Sequence, residues 1–509
     1  MNEKIIIGKL PPAFKNSGYS EAGASFSKRS LRAFNPISAA PNEDIDWNNQ
    51  TLRERSRNLY MSSPIAASAI NTNRTNVIGQ GLILKSQIDR DILGISPETA
   101  LEWQKHTEAE FELWAGNKQA CDATGVNDFY SMQQLALVSW LLSGDAFCLF
   151  RYKEKTELNP YQLRLHLIEA DRISTPLSLN PNGFNYITDG NYNGNKIFDG
   201  VEIDTDGAIV AYHIANNHRS GTSFFSASTK WERVLAYGKQ TGTPNILHIM
   251  SSERPEQYRG VPYLAPVIET LLNTRRYTES ELTAAVIQSF FTAFITTENA
   301  EDGNPFNEAT GIGGQPIAKG EDEYELGPAN INIMNPGESI EVANPTRPTS
   351  NFDTFVKAMI RQIGSALEIP NELLIKEFSS SYSASRGALL EAWKAFRMRR
   401  DWIINDFCKP VYAKWLDEAV AKGRINAPGY FYNPLIRKAW QGASWAGPAP
   451  GMLDPVKEIQ AENMAVASGF STRTLSTAKL NGGDWDKNIE EIASEAQKMK
   501  DLKITESEE

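Results

Sequence analysis

Residues 352–420 read FDTFVKAMIRQIGSALEIPNELLIKEFSSSYSASRGALLEAWKAFRMRRDWIINDFCKPVYAKWLDEAV, and this stretch decides the fold. Its first part carries apolar side chains at intervals of mostly three and four residues, the spacing that places them on one face of a helix. They are Phe355, Ile360, Ile363 and Leu367. Proline has no N–H to donate and biases the preceding residue away from helical geometry, so we expect this helix to end before Pro370.

A second, longer helix is predicted from Arg386 to about residue 420. Its apolar residues are Leu389, Trp393 and Phe396, and then Ile403, Phe407, Val411 and Trp415. Pro410 should kink it. Between the two helices, residues 379–385 carry little bulk and no charge. Two long helices joined by a small polar loop indicate a rigid frame that presents a tip, and they do not look like the platform of an enzyme active site.

The composition is that of an ordinary globular protein with an acidic balance. The chain has 509 residues, a formal net charge of −11 and a sequence pI near 5.3, and its length predicts about two to four domains. Affinity for DNA comes mostly from cations that neutralise phosphates, so this chain is a poor candidate for a static DNA-binding protein. Cys121, Cys148 and Cys408 lack metal-ligand spacing and are expected to be buried thiols.

No stretch reaches the ~18 apolar residues that a membrane-spanning helix needs. The nearest approach, residues 282–295, is interrupted by Thr, Gln and Ser, and we expect it to form a packed helix. The apolar run at the N-terminus is too short for a secretory signal. We therefore expect no membrane partner.

Hydrophobic periodicity predicts an α+β first half. Residues 1–44 show no sustained period and are interpreted as an extended arm, with helix expected from Trp47. Alternation of apolar and polar residues between 161 and 250 predicts several strands. Asp206–Gly207 is a hairpin turn signal within them.

The second half is predicted to be mostly helical around a small insert. A helix of about 30 residues is expected after residue 260. Residues 298–350 then form a non-helical, partly strand-like insert with ten Asp or Glu side chains against Lys319 and Arg347. Three shorter helices close the chain, and their expected starts are Asp454–Pro455, Ser471 and Asp484–Trp485.

The sequence lacks the motifs G-x-x-x-x-G-K-[ST], G-x-S-x-G, H-E-x-x-H and C-x-x-C. His166, Glu169 and Asp171 could suggest a metal site. On a strand, however, His166 points to the opposite face from the two carboxylates, so we interpret these residues as polar positions of a half-exposed strand. We expect no enzymatic activity, no cofactor and no bound metal.

Three clusters of like charge occur in the sequence. The basic cluster of the long helix comprises Arg386, Lys394, Arg397, Arg399 and Arg400. It could contact a phosphate backbone or an acidic neighbour, or it could be a solvated helix face or pair between chains. The acidic cluster Glu321, Asp322, Glu323 and Glu325 could bind a cation or form a solvated loop. Arg53, Arg55 and Arg57 are expected to be solvated or to pair locally.

Several stretches, in this order, resemble the lambda-like portal proteins of tailed bacteriophages. They are LRERSRNLYMSSPIAASAINTNRTNVIGQGL (52–82), ERPEQYRGVPYLAPVIETL (253–271), WAGPAPGMLDPVKEIQAE (445–462) and GFSTRTLS (469–476). The resemblance spans roughly residues 45–500. The second and third stretches are its more specific parts, whereas the arm and the insert match only in position and character.

The resemblance implies a ring of identical subunits, usually twelve, at one vertex of the capsid. Double-stranded DNA would be packaged and later ejected through its central channel. The implied parts of this multidomain portal fold are the α/β wing (45–262), the first stem helix (263–297), the β-containing clip (298–350), the second stem helix (351–370), the tunnel loop (371–385), the long helix with the return to the wing (386–450) and the helical crown (451–509).

The same resemblance implies roles and partners. The residues expected to face DNA are Ser379, Ser380, Ser381, Tyr382, Ser383 and Ser385. The clip would dock the large subunit of the terminase and later the head–tail connector, and the major capsid and scaffold proteins would be further partners. The ring would be assembled in the host cytoplasm and reside in the virion. The missing ATP motif fits a part that a separate motor drives.

Two other classes of protein remain open from the residues alone. A capsid-associated nuclease or protease would lose activity on mutation of Glu169 or Asp171. A shell or tail protein without a channel would not require two long helices around a small acidic insert, and an image with a central hole would separate the two readings.

Overall fold

The computed structural model describes most of the chain. The described ranges are 23–25, 28–179, 189–218, 229–289, 293–295, 331–333, 352–378, 381–451, 454–483 and 485–501. Within them helices combine with mainly antiparallel sheets, so the predicted α+β class is confirmed at that level.

Two helices and a π-helical turn are the first elements of the described chain. They are α1 (Pro41–Ser62), α2 (Pro64–Asn73) and the turn Arg74–Ile78. Helix α1 begins earlier than the expected Trp47, inside the predicted arm, because a proline at its first position is already set to a helical φ. The Ser63 hydroxyl accepts a hydrogen bond from the N–H of Ala66 and so starts α2.

A strand and four more helices follow before the sheets. They are β1 (Ile83–Ser86), α3 (Arg90–Leu93), α4 (Pro97–Ala115), α5 (Lys118–Cys121) and α6 (Phe129–Ser143). The side chains of Ser96 and Asp128 cap α4 and α6 by accepting backbone N–H groups.

Two antiparallel sheets lie between residues 145 and 250. Their strands are β2 (Asp145–Tyr152), β3 (Leu163–Ile168), β4 (Asp189–Tyr192), β5 (Asn195–Phe198), β6 (Val201–Ile203), β7 (Ile209–Ala215), β8 (Trp231–Leu235) and β9 (Ile246–Met250). One sheet has the order β3–β2–β9, and the other is the meander β4 to β8. The predicted turn at Asp206–Gly207 is confirmed, and Gly207 adopts the positive φ of 83° that a tight turn needs.

Strand β2 belongs to two hydrophobic cores at once, because neighbouring residues of a strand point to opposite faces. Cys148 and Phe150 pack into the larger core, which the helices share. Phe147 and Leu149 pack into the smaller core of the five-stranded sheet. The strand therefore fixes the two cores to each other.

The next element is the helix pair α7 (Ile268–Ser289) and α8 (Phe352–Ala366), which pack together. The expectation of a single helix over 263–297, with 282–295 packed, is wrong. The helix ends at Ser289, and residues 293–295 form strand β10 (Ala293–Ile295), parallel to β11 (Ile331–Ile333). Aromatic and β-branched residues dominate positions 291–297, and they favour extended backbone.

The predicted second helix is built from several segments. They are α10 (Tyr382–Ile403), the π-helical turn Ile404–Cys408 and α11 (Lys409–Ala421), and the short helix α9 (Asn371–Ile375) lies between the two predicted helices. The π-helical turn ends at Cys408, two residues before Pro410, where a kink was predicted and where proline cannot donate to the preceding turn. The predicted apolar face is confirmed, since Ile403, Phe407, Val411 and Trp415 are fully buried.

The chain closes with one strand and four helices. They are α12 (Pro434–Trp440), β12 (Ala443–Ala446), α13 (Pro455–Ala467), α14 (Arg473–Asn481) and α15 (Trp485–Asp501). Strand β12 pairs antiparallel with β1, so residues 443–446 return to the N-terminal part of the described chain. Asp454 caps α13 as predicted, whereas α14 is capped by the side chain of Thr472 and not by Ser471.

Composition also led to predictions about the cysteines and about membrane-spanning helices. All three cysteines are free and buried, as expected. Among the described residues, no helix combines the length and apolar character that crossing a bilayer requires.

Candidate functional site

The connection from α8 to α10 is held firmly at its base. Leu367 and Ile369 are buried. A methyl group on Gly364 would lie 2.4 Å from the carbonyl oxygen of Ile369, so only glycine lets the chain turn back this closely. The Ser68 hydroxyl donates to the carbonyl oxygen of Leu374 at 2.7 Å, which ties α9 to α2.

The tip of this connection is exposed. Lys376, Glu377 and Phe378 face solvent, and Lys376 adopts a left-handed φ of 56°. The Ser381 hydroxyl accepts the N–H of Ala384 and starts α10. The start predicted at Arg386 is therefore wrong, because a serine cap recruits the next residues into the first turn.

The six residues predicted to face DNA fall on both sides of this cap. Ser379 and Ser380 lie outside the described residues. Ser381 is the exposed cap, and Tyr382, Ser383 and Ser385 belong to the first turns of α10. Ser383, Ala384 and Gly387 are exposed there, so the described tip is a helix end with small side chains.

The predicted basic cluster does not form one exposed patch. Arg399 is 4% exposed and donates to the side chains of Asn73, at 3.1 Å, and Glu368, at 2.7 Å. Arg400 donates to the backbone carbonyls of Val77, Asn76 and Pro448, each at 2.8 Å. Both arginines hold the chain together, which corrects their assignment as phosphate or subunit contacts.

The other three members of the cluster lie nearer the surface. Arg386 pairs with Glu458 and so joins α10 to α13. Lys394 pairs with Glu391 on the exposed face of its own helix, at 2.6 Å. Arg397 is exposed. A role for these three in contacting phosphate or a neighbouring subunit stays a prediction.

The base of α7 is tied to the base of α8. The Tyr263 hydroxyl donates to the carbonyl oxygen of Leu367. The guanidinium of Arg399 lies over the Tyr263 ring, 4.8 Å from its centroid. The two ends of the segment that contains α7 and α8 are thereby held together beside Arg399 of α10.

The structure brings together a charged group that the sequence only half suggested. Glu169 and Asp171 converge with His218, whereas His166 does not join them. Arg57 pairs with both carboxylates. The Arg57 guanidinium therefore offsets one of the two negative charges and makes this group an ion-pair cluster.

A second, fully buried cluster was missed. Arg259 pairs with Asp145 at 2.6 Å and with Asp199 at 2.7 Å. Arg53 lies 3.4 Å from the same two carboxylates, so its expected solvation or local pairing is wrong. Burial alone would raise the pKa of Asp145, but Arg259 and Arg53 outweigh it and hold that pKa far below its usual range. Four charges thus balance where α1, β2 and the five-stranded sheet meet.

Asp46 is the surplus carboxyl beside this balanced cluster. It is 4% exposed, and its Oδ2 has no hydrogen-bond partner. Burial, with a contribution from the negative charge of Asp199, raises the pKa of Asp46 to about 8. At neutral pH this carboxyl is therefore mostly protonated.

The raised pKa predicts a pH-dependent stability that Asp46→Asn should remove. The contribution of Asp46 is fully present below pH ~4, declines by about 1 kcal/mol per pH unit as pH rises, and is lost above pH 8. The variant should therefore gain stability relative to the native chain between pH 5 and pH 8. Urea unfolding at several pH values checks this, with exposed Asp44→Asn as the control. Parallel stability curves for the native chain and Asp46→Asn would contradict the prediction.

The chain resembles curated portal proteins over most of its length. It is 22% identical over 485 residues to the portal protein of Escherichia phage N15, covering 92% of this chain and 88% of that one. It is 22% identical over 488 residues to portal protein B of Escherichia phage lambda, covering 92% and 87%. A probable portal protein of Halomonas phage phiHAP-1 is 23% identical over 462 residues, covering 89% and 82%.

Solved structures of gene transfer agent (GTA) particles also align with the chain. The neck of the native particle, computed with C12 symmetry, has a TM-score of 0.41 at 12% identity and covers 85% of this chain and 93% of that one. The neck of the empty particle, computed with C6 symmetry, has a TM-score of 0.44 at 13% identity and covers 85% and 94%.

The curated relatives define the class, which is that of phage portal proteins. The family model described as phage portal protein, lambda family, matches residues 27–400. The chain belongs to that lambda family of portal proteins, and the expectation from the sequence is confirmed.

Proposed function

We propose that copies of this portal protein close into a ring, of twelve subunits as the resemblance implies, around a passage for double-stranded DNA. Family membership carries the proposal. The exposed apolar side chains of the helices support it. Leu282 and Val286 on α7 are 68% and 47% exposed, and Leu390 on α10 is 53% exposed. A ring needs two different contact surfaces on each subunit, and α7 and α10 offer them.

Imaging tests the ring directly. Purified protein should give particles of uniform mass by mass photometry and a central hole in electron-microscopic class averages. ATPase and nuclease activity should be absent from these particles. A stable monomer across micromolar concentrations, or particles without a hole, would refute the proposal.

Within the ring, residues 371–385 and the first turns of α10 are proposed to lie nearest the DNA. The exposed side chains of Ser381, Ser383 and Ala384 are small and uncharged. They can touch a duplex without the charge pairing that makes binding tight. A conduit requires this property, because DNA must slide past and not be held.

A lysine introduced at the tip should raise the affinity of the ring for duplex DNA. Rings of Ser383→Lys should bind linear duplex DNA roughly tenfold more tightly than native rings at low salt, with the gain lost as salt rises, because each subunit adds a phosphate contact. Fluorescence anisotropy across a salt series measures this affinity.

The matched control for this experiment is Thr205→Lys. Thr205 is an exposed hydroxyl residue in a turn of the wing, so the substitution adds the same charge away from the tip. Equal DNA affinity for the two lysine variants would remove the tip from the passage.

The remaining partners are those that the resemblance to portal proteins implies. Residues 298–350 would dock the terminase large subunit and later the head–tail connector, and the major capsid and scaffold proteins would contact the ring. The acidic loop predicted within this insert, a cation site or a solvated loop, lies outside the described residues; it comprises Glu321, Asp322, Glu323 and Glu325. The ring would assemble in the host cytoplasm before it becomes part of the virion.

A further inference from the structure

The C-terminal segment 454–501 has no apolar core of its own. Among its residues whose burial the structure describes, only Glu462 and Ser476 are buried, and both are polar. The large apolar side chains of α13 to α15 face solvent instead. They are Val456, Ile459, Met464, Phe470, Leu475, Ile489 and Ile492. Exposed apolar residues on three consecutive helices, and in the loop between the first two, indicate a surface that another molecule covers.

Helix α15 carries the most regular part of this surface. Its apolar residues recur at alternating intervals of four and three, which is the spacing of a coiled-coil seam. They are Trp485, Ile489, Ile492, Ala496 and Met499. Ile489 is 41% exposed and Ile492 is 53% exposed, so this seam is not filled by the chain's own helices.

Charges beside the seam identify the molecule that covers it. In parallel coiled-coil helices, the residue just before the first seam position of each heptad lies beside the residue five places later on the neighbouring helix. In α15 these positions hold Glu495 and Lys500, which have opposite charges. Residues 454–501 carry nine acidic and six basic side chains, a net charge of −3, which disfavours a nucleic acid as the covering molecule.

We propose that α15 packs in parallel against α15 of the neighbouring copy, with Glu495 of one copy paired to Lys500 of the next. The inference rests on the proposed ring, which brings identical helices to the same height and direction. Two heptads are too short to hold free helices together, so the contact depends on assembly. The Arg386–Glu458 pair and the Arg400 hydrogen bond to Pro448 set where the segment begins in every copy.

Site-specific cross-linking tests the contact in assembled rings. Ile489→Cys, treated with a short bifunctional maleimide, should yield covalent dimers in denaturing gels, because each chain then offers one reactive thiol. Ser494→Cys lies on the opposite face of α15 and is the matched control, expected to yield at least fivefold less product. The native cysteines are all buried, and burial raises the pKa of the Cys121 thiol to about 12, so they stay unreactive.

Charge reversal then tests the proposed partner residues. In the Ile489→Cys background, Glu495→Lys or Lys500→Glu should lower the cross-linking yield about threefold, as expected for the loss of an exposed ion pair. The double variant should restore the yield, because the pair is re-formed with its charges exchanged. A defect confined to one helix would not be rescued in this way.

The outcomes separate this inference from the ring itself. Particle mass shows whether rings form, independently of the cross-link. Intact rings with equal yields from Ile489→Cys and Ser494→Cys, or with no rescue in the double variant, would overturn the α15 contact and leave the ring standing. Absence of rings in the native protein would refute the proposed function.

Discussion

Replacing Arg259 with leucine is expected to lower the free energy of unfolding by about 3–5 kcal/mol. Arg259 is fully buried, and its guanidinium pairs with Asp145 and Asp199. It also donates to the carbonyl oxygens of Ile173 and Ala170. Leucine would remove this guanidinium and leave Arg53, 3.4 Å away, as the arginine beside the two carboxylates, and buried charge that has lost its partner is costly. Urea unfolding followed by tryptophan fluorescence measures the loss.

Arg254→Leu is the matched control for this prediction. Arg254 lies five residues away and pairs with Asp44 at 2.6 Å, but both side chains are about 40% exposed. Exposed ion pairs contribute less than about 1 kcal/mol, so this variant should unfold nearly as the native chain does. Similar unfolding midpoints for the two leucine variants would show that the buried cluster contributes little to stability.

Gly260→Ala is expected to destabilise the wing by about 3 kcal/mol or more. The added methyl carbon would lie 1.8 Å from the carbonyl oxygen of Gly144, and backbone cannot yield as a flexible side chain does. The Asn49 side chain donates to the carbonyl oxygen of Gly260, and the N–H of Gly260 donates to Asp145. Relief of the clash would therefore break hydrogen bonds. Thermal unfolding and limited proteolysis report the damage.

The same substitution in α10 should have the opposite sign. A methyl group on Gly387 meets nothing within 4 Å, and alanine is the better helix former, so Gly387→Ala should stabilise the chain by about 1 kcal/mol. If both alanine variants shifted the unfolding temperature in the same direction, the close crossing of Gly144 and Gly260 would not be the cause of the loss.

The helices around the core could be predicted because their cause is local. Ile403, Phe407, Val411 and Trp415 repeat every four residues, and all four are fully buried. The exact ends were harder, because they depend on single hydrogen bonds. The hydroxyl of Ser381 starts α10 several residues before the predicted position.

The basic cluster shows how charge alone misleads. Arg400 lies four residues after Phe396 and three before Ile403, so the helical period places it on the buried side. Its backbone hydrogen bonds follow from that placement. Arg397 lies outside this buried face and is exposed. Counting basic residues along a sequence combined these two positions, although the helix separates them.

The buried ion-pair cluster could be predicted only in part. Arg53 lies on the stripe of α1 that also contains Ile45, Asn49 and Ser56, all buried, and this spacing was the available signal. Its partners are remote in sequence: Asp145, Asp199 and Arg259 come from separate elements. No local pattern encodes such a meeting, because it arises only when the two cores assemble around β2.

The fastening of Tyr263 to Leu367 has an evolutionary consequence. The segment that contains α7 and α8 begins and ends at this hydrogen bond, and Arg399 donates to the same carbonyl oxygen of Leu367. The entropic cost of closing a longer excursion rises only slowly with its length. Evolution can therefore lengthen or shorten the segment between α7 and α8 at little cost in stability, because the contacts that fix its two ends lie outside it.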